Sequence, residues 1–200
     1  AAAAQAHGIT GSGAKVAVFD YAFAHASALE GTELPATGWY VDFTGTGIDS
    51  GSEPHGTACA EIVHDVAPDA ELHLYKVANL LQFENAVARC LSDGIHIASF
   101  SGGWLGTGVG DGQGLACDIV NRAADGGVLW VNAAGNLAPR QYTGTSADVD
   151  GDGWHEFAPG VEKLYLQDTQ VVGSLIRLCL TWDEWPTTYE DWDLYLGREA

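Results

Sequence analysis

Three polar residues sit at the ends of apolar runs, where a folded chain turns at the edge of its core. Asp20 closes Lys15–Asp20 (KVAVFD), and His55 opens a helical run in His55-Gly56-Thr57. Asn136 ends Ala133-Ala134-Gly135-Asn136, just after the apolar run Val128–Ala133. A carboxylate, an imidazole and a carboxamide are groups that can accept, donate and move protons or hydrogen-bond developing charge. Each alone has a plainer explanation: a turn cap, a structural helix-start histidine, a Gly-Asn turn.

A second grouping is Asp148-Val149-Asp150-Gly151-Asp152-Gly153, with carboxylates at i, i+2 and i+4. This is the ligand pattern of the first half of an EF-hand loop. The twelfth position is Pro159 rather than Glu, so a helix-loop-helix is excluded. What remains is a β-type calcium loop, with Glu156 as a fourth side-chain ligand, or a solvated acidic turn. No organic cofactor is expected. The four cysteines, at 59, 90, 117 and 179, form no C-x-x-C pair and suggest no zinc site. They read as buried thiols, with one disulfide, Cys90–Cys117, as the alternative in an oxidising compartment.

The elements that must position these groups alternate in type. Lys15–Asp20, Glu71–Val77, Ile95–Phe100 and Val128–Ala133 read as strands, and His55–Val66, Leu81–Leu91 and Leu115–Ala124 as helices. In His55–Val66 the apolar face is Ala58, Ile62, Val63 and Val66. His64 and His73 fall on polar faces and read as surface residues. Strands alternating with helices predict an α/β fold, a three-layer doubly wound and mostly parallel sheet. Sites in such folds lie at the carboxyl ends of the strands. Residues 8–139 form this core. Residues 140–200 change character and read as a β-rich, sandwich-like segment, with strands at Leu164–Leu166, Val171–Leu180 and Trp192–Leu196.

Taken in order and on these elements, GITGSGAKVAVFDYAF, HGTACAEIVHDVAPDAELHLYKV and GGVLWVNAAGN resemble the subtilisin-like serine peptidases. The block around His55 is the most specific. The acidic segment and LTWDEW…DWDLYLG look like a bacterial subset in which a β-rich insert follows the oxyanion asparagine. The resemblance implies a subtilisin-like fold, incomplete at its C-terminal end, and a secreted or cell-surface endopeptidase acting on polypeptides. It casts Asp20 as orienter, His55 as base and then acid, and Asn136 as oxyanion donor. It places substrate backbone along Ser99, Phe100, Ser101, Gly102 and Gly103 by strand addition. Here Ser99 stands where the family usually has Asn, and Gly102 where it usually has Leu.

The nucleophile is the missing part. Gly144-Thr145-Ser146 is the one Gly-Thr-Ser triplet, but it follows Asn136 too closely. The carboxylates of Asp148, Asp150 and Asp152 follow it and cannot open a buried helix without a large desolvation cost. The serine is expected on a downstream piece or a second chain; a chain without methionine reads as processed or as a fragment. The alternative is a pseudoprotease that uses the cleft only to bind peptide.

Charge narrows the partners. Eight basic and 27 acidic residues give a net charge of −19, which repels nucleic-acid phosphates and anionic lipid. No apolar run reaches the ~20 residues of a membrane span. An apolar share of 46% with 18% charged residues is enough for a substantial core.

Overall fold

The computed structural model describes residues 1–108, 110–136, 141–165, 177–183 and 191–197. The chain forms two compact units, Ala1–Gly135 with Cys179–Ala200, and Asn136–Leu178. In the first unit the elements run α1 (Ala2–Ala6), β1 (Lys15–Asp20), a 3-10 turn (Ala26–Leu29), β2 (Trp39–Asp42), α2 (His55–Val66), β3 (Glu71–Lys76), α3 (Leu80–Ser92), β4 (Ile97–Phe100), α4 (Leu115–Asp125) and β5 (Leu129–Asn132). The five strands form one parallel sheet in the order β2-β3-β1-β4-β5. This is the expected α/β architecture.

β1 is central, and its side chains from Val16 to Asp20 are all buried. That is why it reads as a continuous apolar run rather than an alternating one. Ala17 and Phe19 point to one face, where α3 and α4 supply Phe83, Val87, Cys90 and Ile119. Val16 and Val18 point to the other, with Leu72, Leu74, Phe23 and Ala60. Phe19 meets Tyr75 at 5.2 Å and Phe83 at 5.8 Å between ring centroids, both edge-on.

Several expectations need correction. α2 does not pack through its most apolar residues. Gly56, Thr57 and Ala60 are buried, whereas Ile62 is 63% and Val66 52% exposed. The helix is turned so that its smallest residues approach the sheet. β2 had no forecast; its Trp39 is exposed and the rest only partly buried, so its sequence carries little apolar contrast. Its register, Trp39 opposite His73, shows why His73 is buried rather than on the surface. The Trp39 ring stacks on it at 5.8 Å, and Nε2 meets Glu71 Oε1 at 2.8 Å. All four cysteines are free, so Cys90–Cys117 is not a disulfide. Burial pushes the Cys90 thiol up to about 12, as expected for an inert core thiol. Among the described residues beyond Asn136 there is no strand, only an isolated bridge between Ala158 and Val161. The described residues Trp192–Leu196, Leu164–Tyr165 and 177–180 are not in strands. Leu166 and 171–176 lie outside the described residues.

Two polar networks fix the strand ends. Lys76, 4% exposed, ends β3 with its ammonium among oxygens of the 46–50 loop, Gly47 O at 2.7 Å and Thr46 Oγ1 at 3.2 Å. Asp42 closes the same loop, accepting from Thr44 N at 2.8 Å and Gly47 N at 2.6 Å. At the opposite ends of the strands, Asp93 accepts from Tyr75 Oη and Arg89 Nε, each at 2.7 Å.

These networks set an acid limit. Burial pushes the carboxyls of Asp42 and Asp93 up, but hydrogen bonds outweigh it and hold both below their ordinary value; they come from Thr44 and Gly47 in one case, Arg89 and Tyr75 in the other. Glu71 is held low chiefly by His73 and Lys15. A depressed folded value means the unfolded chain binds protons more readily. The stabilisation is therefore present above about pH 4 and is lost as pH falls through the depressed values. Chemical denaturation at pH 7 and pH 3 should show this loss, and Asp42→Asn with Asp93→Asn should flatten it. A stability that does not change between those pH values in the native chain would contradict the assignment.

Candidate active site

Asp20 follows Val16 and Val18 in the alternation of β1, so its side chain faces the layer that holds α2. α2 begins with His55, and its first turn is tied to the segment after β1. Gly56 N donates to Ala22 O at 3.0 Å, and Thr57 Oγ1 donates to Ala24 O at 2.9 Å. Gly56 is required by distance. A Cβ there would lie 2.6 Å from both Ala22 O and Asp20 Cβ. This approach brings His55 Nδ1 to 2.7 Å from Asp20 Oδ2.

The carboxylate is buried and the imidazole is half exposed. Three donors converge on Asp20: His55 Nδ1 on Oδ2, and Tyr21 N at 2.7 Å with Ala22 N at 3.2 Å on Oδ1. With Nδ1–H donating to the carboxylate, the Nε2 lone pair is left able to accept a proton. This fixes the tautomer as a base–orienter pair requires.

Chain continues past β4 alongside this pair. Phe19 is in register with Phe100, so Ser101 extends β4 level with Asp20. Ser101 Oγ lies 3.7 Å from Cys59 Sγ. Cys59 is four residues after His55, one helical turn on. Ligand atoms of Asp20, His55 and Cys59 all lie within 4.8 Å of one another. The i, i+4 spacing from His55 was the available clue to Cys59, which composition alone placed among inert thiols. Tyr21 is a second residue that strand-end reasoning overlooked. Its hydroxyl donates to Gly103 O at 2.7 Å and accepts from Gly103 N at 3.0 Å. Burial, above all, holds the phenol above its ordinary range, so it is a donor at neutral pH.

The other expected residues are placed as follows. Ser99 and Phe100 are in β4, and Ser101, Gly102 and Gly103 extend from its carboxyl end. Asn136 opens the second unit and is exposed there. Ser146 is exposed on irregular backbone of that unit and does not start a helix. Asp148, Asp150 and Asp152 are exposed and bring carboxylate oxygens within 4.8 Å of one another. Asp148 also closes its own turn, accepting from Gly151 N at 2.7 Å and Gly153 N at 3.1 Å. Glu156 accepts from Val149 N and Gly160 N. His155 packs with Tyr142 and Phe157 at 5.8 and 4.8 Å between centroids.

No family model and no curated protein matches the sequence. Among solved structures, a lanthipeptide protease has a similar fold, with a TM-score of 0.52 and 22% identity over 66% of this chain. The likeness shows that this α/β arrangement is one that a protease uses. The chain spans 42% of the length of that protease.

Gly56 gives a direct test of the geometry. Gly56→Ala should force α2 away from β1, cost about 1–3 kcal/mol and break the His55–Asp20 bond. Urea unfolding reads the first effect. A downfield Nδ1 proton of His55 is expected in the NMR spectrum of the parent and should be missing from that of the variant. A variant of parental stability that keeps that proton would refute the steric account.

Proposed function

We propose that this chain is part of a subtilisin-like serine endopeptidase that hydrolyses polypeptides outside the cell. The observation that carries the reading is the 2.7 Å bond between His55 and buried Asp20 at the carboxyl end of a central parallel strand. The protease of similar fold adds support. In this reading His55 Nε2 takes the hydroxyl proton of a serine as its oxygen bonds to the substrate carbonyl. The same proton then passes to the leaving amine. Asp20 stabilises the imidazolium between these steps, and Asn136 donates to the oxyanion.

The serine lies on a downstream segment or another chain. The uncovered side of α2 agrees with this. Ile62 and Val66 are exposed, and Leu129 and Val131 of β5 stand bare on the same face of the sheet. The second reading is a peptide-binding module without catalysis. It draws on Ser146, which lacks the helix start a nucleophile of this type uses.

In the longer parent protein, His55→Ala should lower kcat/KM on a chromogenic peptide by about 10⁴-fold. Asn136→Ala should lower it by about 10²–10³-fold. The isolated chain should not react with a fluorophosphonate probe. Full activity without His55 would end the peptidase reading, and stoichiometric labelling of Ser146 would end the split-site reading.

Calcium at Asp148, Asp150 and Asp152 belongs to the same proposal. Oxygen-only ligands suit a hard cation. The loop concentrates charge: Asp152 above all, with Asp150 and Glu156, pushes the Glu162 carboxyl above its ordinary range. Calcium at a hundredfold excess over Kd should stabilise the folded chain by about 2.7 kcal/mol. Melting with calcium and with chelator measures this, and Asp150→Asn should reduce the difference. Identical midpoints would make the loop an ordinary acidic turn.

A further inference from the structure

The chain that continues β4 beside His55 contains a feature that the proposed chemistry does not use. In a strand, N–H and C=O groups of successive residues point to opposite sides. Phe100 O accepts from Ala133 N, and Gly102 O accepts from Asn132 Nδ2 at 3.2 Å, both on the β5 side. Ser101 and Gly103 therefore turn their backbone groups to the side of β1. β1 ends at Asp20, so beyond it this edge has no neighbouring strand among the described residues. An extended peptide laid along it would pair with Ser101 and with Gly103.

At Gly103 the position is already filled. A single atom, Tyr21 Oη, satisfies both backbone groups, at 2.7 Å to the carbonyl and 3.0 Å from the amide. The ring is held from behind by Phe100 at 5.8 Å and Trp104 at 5.9 Å. Gly102 makes room for it: a Cβ there would lie 2.5 Å from the Phe100 ring and 2.9 Å from Tyr21 Cε2. The glycine that departs from the usual leucine and the tyrosine after Asp20 are thus parts of one arrangement. Tyr21 N also donates to Asp20, so the residue that fills the edge is anchored to the orienting carboxylate.

We propose that Tyr21 is a specificity-determining residue that shortens the peptide-pairing edge to one position, Ser101. The inference rests on the peptide-binding reading of the cleft. A bound polypeptide then makes backbone hydrogen bonds only beside His55. Two residues further along it lies against the rings of Tyr21 and Trp104 and needs no backbone N–H. Proline or an N-methylated residue is accepted at that point, where an unblocked edge would reject it. The selected substrates are polypeptides with an aromatic or aliphatic side chain, rather than a regular extended backbone, at that position.

An N-methyl scan tests this without knowledge of the binding register. One apolar hexapeptide and its singly N-methylated forms are titrated into the purified chain, with affinity read by fluorescence anisotropy. Methylation should weaken binding, by about fivefold for one lost hydrogen bond, at one position only. In Tyr21→Ala a second sensitive position should appear, two residues from the first. Tyr21→Phe keeps the ring packing and removes both hydrogen bonds, and serves if the alanine variant does not fold. Its Gly103 amide should exchange with solvent about tenfold faster than in the parent. Two sensitive positions in the parent would show that peptide displaces Tyr21 and would overturn the proposal. So would a single position in folded Tyr21→Ala, or unchanged Gly103 exchange in Tyr21→Phe. Absence of hexapeptide binding by the parent and both variants would instead overturn the peptide reading of the cleft, and this proposal with it.

Discussion

The first unit depends on one close approach, the first turn of α2 against the end of β1. Helices normally sit about 10 Å from a sheet, with side chains filling the gap. Here Gly56 removes the gap at one point, and Thr57 and Ala60 keep it small for the next turn. The polar pair at the end of β1 follows. Asp20 is buried because α2 covers it, and it can be buried because three donors converge on it. His55 is held by its ring nitrogen rather than by packing, which leaves its other side in solvent. A buried carboxylate without such donors would cost several kcal/mol.

That approach also dictates what the rest of the helix does. A helix pinned through its small residues cannot also turn its large ones to the sheet. Ile62 and Val66 are left outward, while Val63 and Ala67 fill the flank. Burial on this side of the sheet comes instead from the segment after β1, where Phe23 and Leu34 are fully enclosed. The opposite side is conventional. α3 and α4 each present an apolar stripe, and aromatic rings from β1, β3, β4 and α3 interlock there. One face is thus built for density and the other for the geometry of a polar pair.

The parts of this arrangement legible in the sequence were those with strong local patterns. Four strands and three helices follow from apolar periodicity, and the pairing of Asp20 with His55 was expected from the family resemblance that the motifs around them carry. What was not legible required knowledge of neighbours. Helical periodicity placed Ile62 and Val66 inward because it cannot see that Gly56 sets the rotation. His73 looked polar and exposed because the tryptophan that covers it lies 34 residues earlier, on a strand with little apolar contrast. Tyr21 and Cys59 gained their positions from partners distant in sequence, Gly103 and Ser101, which no local window contains. After Asn136 the described residues of the expected strands are not in strands: alternation of apolar and polar residues is compatible with a strand but does not by itself make one.

The bare flank of β5 has a colloidal consequence. Leu129 and Val131 stand 61% and 51% exposed on a strand whose outer edge has no partner among the described residues. Such an edge is a template for strands from other copies. The main force keeping copies apart is the net charge of −19, a long-range repulsion with no counterpart in the packing. Its range is set by solvent ions: roughly 30 Å in 0.01 M salt but only about 8 Å at physiological ionic strength. In dilute buffer the chain is protected by its charge, and near physiological salt the protection shrinks to the scale of a side chain. Added salt therefore weakens the barrier to self-association of the isolated chain.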